Sequence, residues 1–270
     1  MQTEGDSPRQ TSRGRRIAFN VLALLFAAGA AGGLFGLGLI VGWFDTEDGK
    51  IHRVHDIAFG VLAGIFLTVA FLTQLRNPER KVSTRYQIAA AAVASLIAGL
   101  MATDPGTGIF FFVIPVAALA ILVAVHPAGT SLMKGARSFS PLLALLAAAA
   151  AVPLVWFALT TARLQRTGPS QDPHVKMGHW TIMTAMLLGI VLVALLASFK
   201  FGGWRITAWC AGAGAFFYGL ASVVFATFPG TDVPYPGSKG VGWGLAAIVG
   251  GLVFIAAAEW EALRGRAPTR

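Results

Sequence analysis

Eight apolar runs, each long enough to cross a lipid bilayer, dominate this chain of 270 residues. They are predicted near residues 17–43, 54–75, 86–102, 108–125, 141–162, 178–199, 204–227 and 240–261. About 20 apolar residues cross the hydrocarbon core as a helix, and an open strand would leave backbone groups unpaired there. Only 12% of the residues are charged, whereas about a quarter are charged in a typical soluble protein. The sequence therefore predicts an all-α integral membrane protein with eight transmembrane helices.

The basic residues are distributed unevenly between the predicted loops. Fifteen of the 21 lie on the side of the two termini and six lie on the other side. This bias is expected when the first side is cytoplasmic. We therefore expect a multi-pass protein of the cell (plasma) membrane with both termini in the cytoplasm. Because the bias also explains the net charge of +9, the expected partners are the lipid bilayer and other membrane proteins, and not nucleic acid.

An internal match at an offset of 124 residues divides the chain into two halves. His55 aligns with His179, and ATDPGT (102–107) aligns with ATFPGT (226–231) without a gap. A histidine and a Pro-Gly-Thr turn shared at one offset indicate a repeat, which predicts two parallel four-helix halves related by an axis along the membrane normal. The expected division is a basic cytoplasmic tail at 1–16, a first half at 17–126, a cytoplasmic linker at 127–140, a second half at 141–262 and a cytoplasmic tail at 263–270.

Histidine and aspartate residues gather at the predicted outer starts of the second and sixth spans. His52, His55 and Asp56 are spaced i, i+3, i+4, so His52 can share a helical face with either of the others. His174 and His179 are five residues apart, and they share a face only if the segment before Met177 is not helical. The axis of the repeat would bring the two groups together.

Two kinds of cofactor suit such a group. A mixed histidine and carboxylate set is typical of zinc or another borderline divalent ion, and Asp104 and Asp232 on the same predicted surface could complete it. Two facing histidines could instead be the axial ligands of haem. The candidate cofactor ligands are His55 and His179, and the candidate metal ligands are His52, His55, Asp56, His174 and His179.

These residues also have plainer interpretations. His52 and His174 can be ordinary polar residues of the headgroup region. An acid such as Asp56 at a helix start favours the positive end of the helix dipole, and Asp172 before Pro173 is typical of a helix N-cap. His126 falls at the inner end of the fourth span, so it is not expected to join the outer group.

Two family resemblances follow from these segments. WFDTEDGKIHRVHDIAFG (43–60), with a weaker echo at 228–243, resembles an uncharacterised family of bacterial multi-pass membrane proteins, which implies no activity. The two-half plan with histidines opening even-numbered spans is also similar to that of haem A synthase. That resemblance implies haem ligation at His55 and His179. The starts of the fourth and eighth spans, where that family has its other ligands, carry no histidine here.

Three classes of function remain open. The first is a non-enzymatic accessory or small-molecule/lipid-handling protein, which is favoured because the sequence has no charge at a predicted bilayer midplane and no phosphate loop, nucleophile elbow or H-E-x-x-H motif. The second is a haem- or quinone-associated redox protein that uses His55 and His179. The third is a metal-dependent membrane hydrolase, in which histidine and aspartate would hold zinc with one open position.

Overall fold

The computed structural model describes residues 13–44, 51–127, 138–228 and 230–264, and this part of the chain is helical. Eight of its helices are long and apolar enough to cross a membrane. They are α1 (Arg13–Phe44), α2 (Arg53–Thr73), α3 (Val82–Ala102), α4 (Pro105–Ala124), α5 (Pro141–Thr167), α6 (His179–Ser198), α7 (Trp204–Val224) and α8 (Gly240–Arg264). The all-α class and the eight membrane-crossing helices are thus confirmed.

Helices α2 and α6 form the centre of the bundle. In their most apolar stretches 67% and 78% of the residues are buried, whereas the fraction is between 22% and 28% in α1, α4, α5 and α8. Helices α3 and α7 are intermediate at 56%. The outer helices expose large apolar side chains, among them Leu24, Val152, Trp156 and Val249. A surface of this kind is suited to contact with lipid, because only an apolar solvent accommodates it without cost.

Glycines allow α7 and α8 to pack with their backbones in contact. A Cβ atom on Gly251 would lie 2.4 Å from the carbonyl oxygen of Gly212, and one on Gly219 would lie 2.6 Å from that of Gly244. Small residues permit such close approach in membrane helices. These glycines therefore form the packing face between α7 and α8.

The turn between α3 and α4 is a tight hairpin, as its Pro-Gly-Thr sequence predicts. Asp104 caps α4 by accepting a hydrogen bond from the backbone N–H of Thr107 at 3.3 Å. The positive φ of this turn is on Thr103 (φ 52°), the residue that ends α3. In the longer turn between α7 and α8 the positive φ values do fall on glycines, Gly230 and Gly237.

Helix α2 contains a nine-residue π-helical stretch, Gly60–Thr68. A π turn leaves carbonyl groups without their usual α-helical partners, and polar side chains bind two of them. The Nε2 of Gln87 in α3 donates to the carbonyl oxygen of Phe66 at 2.9 Å, and the hydroxyl of Thr68 donates to that of Ala63 at 2.8 Å. Such stretches are frequent at functional sites.

Several predicted segments lie partly outside the described residues. Helix α1 already begins at Arg13, inside the predicted tail at 1–16. Residues 1–12, the acidic segment 45–50, the linker residues 128–137 and residues 265–270 are outside the described part of the chain.

Candidate metal centre

Four histidines meet at one end of the two central helices. His52 is the N-cap of α2 and His55 lies in its first turn, while His179 is the first residue of α6. His174 lies in a separate one-turn helix, Pro173–Lys176, just before α6. We call this set of four the histidine cluster, and the end of the bundle that carries it the histidine end.

An interruption of helical structure before α6 allows His174 and His179 to face each other. The one-turn helix stops at Met177, and Gly178 adopts φ +66°, a conformation that favours glycine. The rings of His174 and His179 are consequently 5.8 Å apart between centroids. The sequence condition for a shared face was a non-helical segment before Met177. In the structure, the segment before Met177 is a helical turn, and the two histidines face each other because the helix is interrupted at Gly178.

The rings are packed closely enough for their nitrogens to converge. The centroid of His52 lies 4.8 Å from that of His174 and 4.6 Å from that of His179. The Nδ1 atoms of His52 and His179 are 3.0 Å apart, so one donates a hydrogen bond and the other accepts it. One potential ligand atom from each of His52, His174 and His179 lies within 4.8 Å of the other two.

Asp172 fixes the orientation of His174. Its Oδ1 accepts hydrogen bonds from the backbone N–H of His174 at 2.9 Å and from the ring Nδ1 at 2.8 Å. Partial burial raises the pKa of the Asp172 carboxyl, but the two hydrogen bonds from His174 outweigh this effect and hold the pKa below its ordinary value. A carboxylate that holds Nδ1–H directs the Nε2 atom toward a metal ion, as in many zinc sites. In this structure that Nε2 lies 3.0 Å from the carbonyl oxygen of Ile51.

His55 is fully buried, and neither of its ring nitrogens has a hydrogen-bond partner among the described residues. Its ring lies 4.6 Å from that of His174, 5.3 Å from that of His179 and 4.7 Å from that of Trp180. A buried polar group without a partner costs about 1–3 kcal/mol. Such a group in a native fold needs an explanation, and coordination of a metal ion is one.

The aspartates predicted near this site have different surroundings. Asp56 packs against α1, where a Cβ atom on Gly42 would lie 3.2 Å from the Cβ of Asp56. Asp104 accepts a hydrogen bond from the hydroxyl of Thr181 at 2.9 Å and so ties α4 to α6. Asp232 is exposed in the turn between α7 and α8. The structure therefore gathers the four predicted histidines, and the carboxylate that orients one of them is Asp172.

Two residues that the sequence did not single out for the site enclose the cluster. Trp180 is buried, and its ring lies edge-on to that of His55. Gly237 covers His55 from the turn between α7 and α8, because a Cβ atom on it would lie 3.3 Å from Cε1 of His55. The hydroxyl of Tyr218 holds this turn by donating to the carbonyl oxygen of Gly237 at 3.0 Å. Trp180 follows His179 directly in the sequence, and this adjacency could have indicated that it lies at the site. No neighbouring residue in the sequence indicates that Gly237 does.

The fifth histidine lies apart from the cluster, as predicted. His126 follows the end of α4 and is buried against Phe19, with ring centroids 5.0 Å apart. Its Nε2 is 2.8 Å from Nη1 of Arg85, so the ring accepts a hydrogen bond from the guanidinium. Burial first, and the positive charge of Arg85 second, lower the pKa of His126 to about 4.

The chain matches no protein-family model, no curated protein and no solved structure. Its class therefore rests on the fold and the site. It is a polytopic helical membrane protein with a largely buried histidine cluster where its two central helices begin.

Proposed function

We propose that this protein binds a borderline divalent metal ion such as zinc through His52, His174 and His179. The observation that carries the proposal is the convergence of one ligand atom from each histidine to within 4.8 Å of the others. Zinc–nitrogen bonds of about 2.0–2.1 Å require ligand nitrogens roughly 3–4 Å apart. The Nδ1 atoms of His52 and His179 are already 3.0 Å apart, and Asp172 holds the ring of His174 in position.

His55 favours a closed site over a hydrolytic one. A catalytic zinc ion keeps one position open for water, whereas a structural or storage site fills all four positions with protein ligands. The ring of His55 packs against those of His174 and His179, and its nitrogens are uncommitted. With a fourth imidazole at hand, we propose a non-enzymatic metal-handling or accessory role for the protein.

The same geometry favours a metal ion over haem. In a bis-histidine haem the two ligands point at the iron from opposite faces of the macrocycle. Here the rings of His55 and His179 are 5.3 Å apart and inclined by 30°. The ring of His174 is also 4.6 Å from that of His55. A haem plane would therefore have to push the cluster apart.

The proposal includes the two-half organisation and an outward-facing histidine end. The buried fraction is similar for corresponding helices of the two halves: α2 is close to α6, and α3 equals α7. The hydroxyl of Thr207 donates to that of Ser83 at 2.8 Å, and these residues are separated by the same 124 positions as His55 and His179. The positive-inside bias supports an external location of the cluster.

Metal analysis of the detergent-purified protein after equilibration with zinc and removal of free metal tests the proposal. We expect one ion per chain in the wild type and none in the triple variant His52→Ala/His174→Ala/His179→Ala. The matched control is His126→Gln, which removes a buried histidine remote from the cluster and should retain the ion. Each variant is assessed as a monodisperse peak in size-exclusion chromatography, so that loss of metal is separated from loss of fold.

Two results would contradict the proposal. Wild-type protein that holds no zinc, or a triple variant that holds as much as the wild type, would show that the cluster is not a zinc site. An absorption spectrum of the same samples distinguishes the haem alternative. A Soret band lost in a His55→Ala/His179→Ala variant would replace the metal proposal with haem binding.

A further inference from the structure

A second site lies at the other end of the bundle, where α3 and α7 begin. A groove of about 630 Å³ runs between α2, α7 and α8, and its size is within the range of small-molecule sites. Its wall is apolar and its mouth is polar and aromatic. The wall residues include Ile65, Val69, Ala213 and Phe217, and the mouth residues are Lys81, Trp204, Arg205, Trp209 and Glu259.

The dimensions of the groove fit one acyl chain in one leaflet. From Trp204 at the mouth to Phe217 in the wall, α7 advances about 20 Å at 1.5 Å per residue. Half of the hydrocarbon core of a bilayer is about 15 Å thick. The groove thus reaches from the headgroup region to roughly the bilayer centre. An acyl chain that lies in it would contact the apolar wall.

The charges at the mouth leave one positive charge in excess. Arg205 is paired with Glu259 through a two-point contact, and Glu259 also accepts a hydrogen bond from the indole N–H of Trp209 at 2.8 Å. Lys81 has no carboxylate partner within the described ranges 13–44, 51–127, 138–228 and 230–264. Its stem lies beside Gly203, where a Cβ atom would be 3.3 Å from Cδ, so the ammonium group is held at the mouth.

We propose that this groove binds an anionic phospholipid, with the phosphate at Lys81 and one acyl chain along Ile65, Val69 and Phe217. The excess positive charge complements a headgroup with a net negative charge such as phosphatidylglycerol. A zwitterionic headgroup carries its own cation and gains less from Lys81. The tryptophans at the mouth suit the level of the headgroups, where their amphipathic rings are commonly found.

Native mass spectrometry of the purified full-length protein, exchanged into detergent containing equal amounts of phosphatidylglycerol and phosphatidylcholine, tests this site. One basic residue near a membrane surface is worth about 1 kcal/mol toward anionic lipid, so we expect roughly five-fold more bound phosphatidylglycerol than phosphatidylcholine. Lys81→Gln should abolish the preference. Lys239→Gln, which removes a lysine near the histidine end, should leave it unchanged.

A second variant tests the acyl-chain part of the site independently. Ala213→Trp fills the wall of the groove and should reduce the retention of both lipids. Equal retention of the two lipids by the wild type, or an undiminished preference in Lys81→Gln, would overturn the proposal. Displacement of the lipid by millimolar inorganic phosphate would also overturn it, because the site would then recognise a free anion. These measurements do not depend on the metal content of the histidine cluster.

Discussion

The surroundings of His55 differ between the metal-free protein and the metal-bound state that we propose. Without a ligand its two ring nitrogens are buried and have no partner among the described residues. In the proposed metal-bound state, one of them would be a ligand, and this would offset the cost of burial. The cost of burying His55 is therefore lower in the proposed metal-bound state than in the metal-free state.

Replacing His55 by phenylalanine should have different effects in the two states. Phenylalanine keeps a ring of similar shape and removes the two buried polar atoms, so we expect the metal-free protein to gain about 1–2 kcal/mol in unfolding free energy. The stabilisation produced by zinc should become smaller than in the wild type. Thermal unfolding in detergent, with chelator and with zinc, measures both effects. A variant that zinc stabilises as much as the wild type would exclude His55 as a ligand.

Asp172→Asn separates helix capping from orientation of His174. Asparagine caps a helix as well as aspartate does, so the local fold should persist. The loss of the carboxylate that orients the ring should lower zinc affinity about 10–100-fold. Competition with a chromophoric chelator measures this change, and Asp232→Asn at an exposed position serves as the control. Equal affinities for the two variants would mean that Asp172 acts only as a cap.

At the scale of elements, sequence periodicity located the helices but did not show how the site closes. Apolar runs identify α2 and α6, and the turn residues place His55 and His179 at their starts. The position of His174 depends on the backbone of Gly178, which is set by contacts with the α4 turn. Thr107 is part of this turn, and a Cβ atom added to Gly178 would lie only 2.4 Å from its Oγ1 atom. A long-range contact of this kind leaves no local signature.

Gly178→Ala should therefore disturb both the fold and the cluster. The positive φ and the contact with Thr107 Oγ1 strain any side chain at this position, and we expect a loss of about 1–3 kcal/mol in unfolding free energy. Zinc binding should weaken as well because His179 follows directly. Gly106→Ala is the matched control, since the nearest atom to its Cβ would be Asp104 Oδ1 at 3.9 Å. Thermal unfolding and zinc titration of the two variants check the prediction, and equal behaviour would contradict it.

Because His126 is buried against α3, we expect stability to depend on pH. Its folded-state pKa is about 4 rather than 6.5, because burial, Arg85 and Arg15 disfavour the charged ring while only the carbonyl of Pro78 favours it. The unfolded chain therefore takes up a proton between pH 6.5 and about 4 that the folded protein does not. The full stabilisation is present above pH 6.5, and about 3 kcal/mol is lost as the pH falls to 4.

Thermal unfolding of the wild type and His126→Gln between pH 4 and 7 isolates this contribution, because all other residues are the same in both proteins. We expect the variant to lose less stability on acidification. Parallel pH profiles would show that His126 does not carry the effect.

At the scale of the whole molecule, the composition of the sequence predicted the architecture better than it predicted the geometry of the site. The eight membrane-crossing helices follow from hydropathy alone, because the bilayer admits few alternatives. The central position of α2 and α6 is less visible in the sequence, since their hydropathy resembles that of the lipid-facing helices. Burial by protein and exposure to lipid require the same apolar side chains, so the sequence does not distinguish them.

The orientation in the membrane that the charge bias predicts is directly testable. In a Cys210→Ser background, Asp232→Cys at the histidine end should react with a membrane-impermeant maleimide added to intact cells. A reporter fused after Arg270 should be active in the cytoplasm. Labelling of Asp232→Cys only after permeabilisation would contradict the expected orientation.

The π-helical stretch of α2 also sets the rotational phase between the two ends of that helix. One residue more or fewer turns the chain beyond it by about 100° in an α-helix. Gly60–Thr68 lies between the first turn of α2, which carries His55, and its last turns, which pack on α1. Converting the stretch to regular α-helix by deleting one residue would leave only one of these faces in register. The winding of the middle of α2 therefore fixes how the turn that carries His55 is aligned with the turns at the other end of the helix.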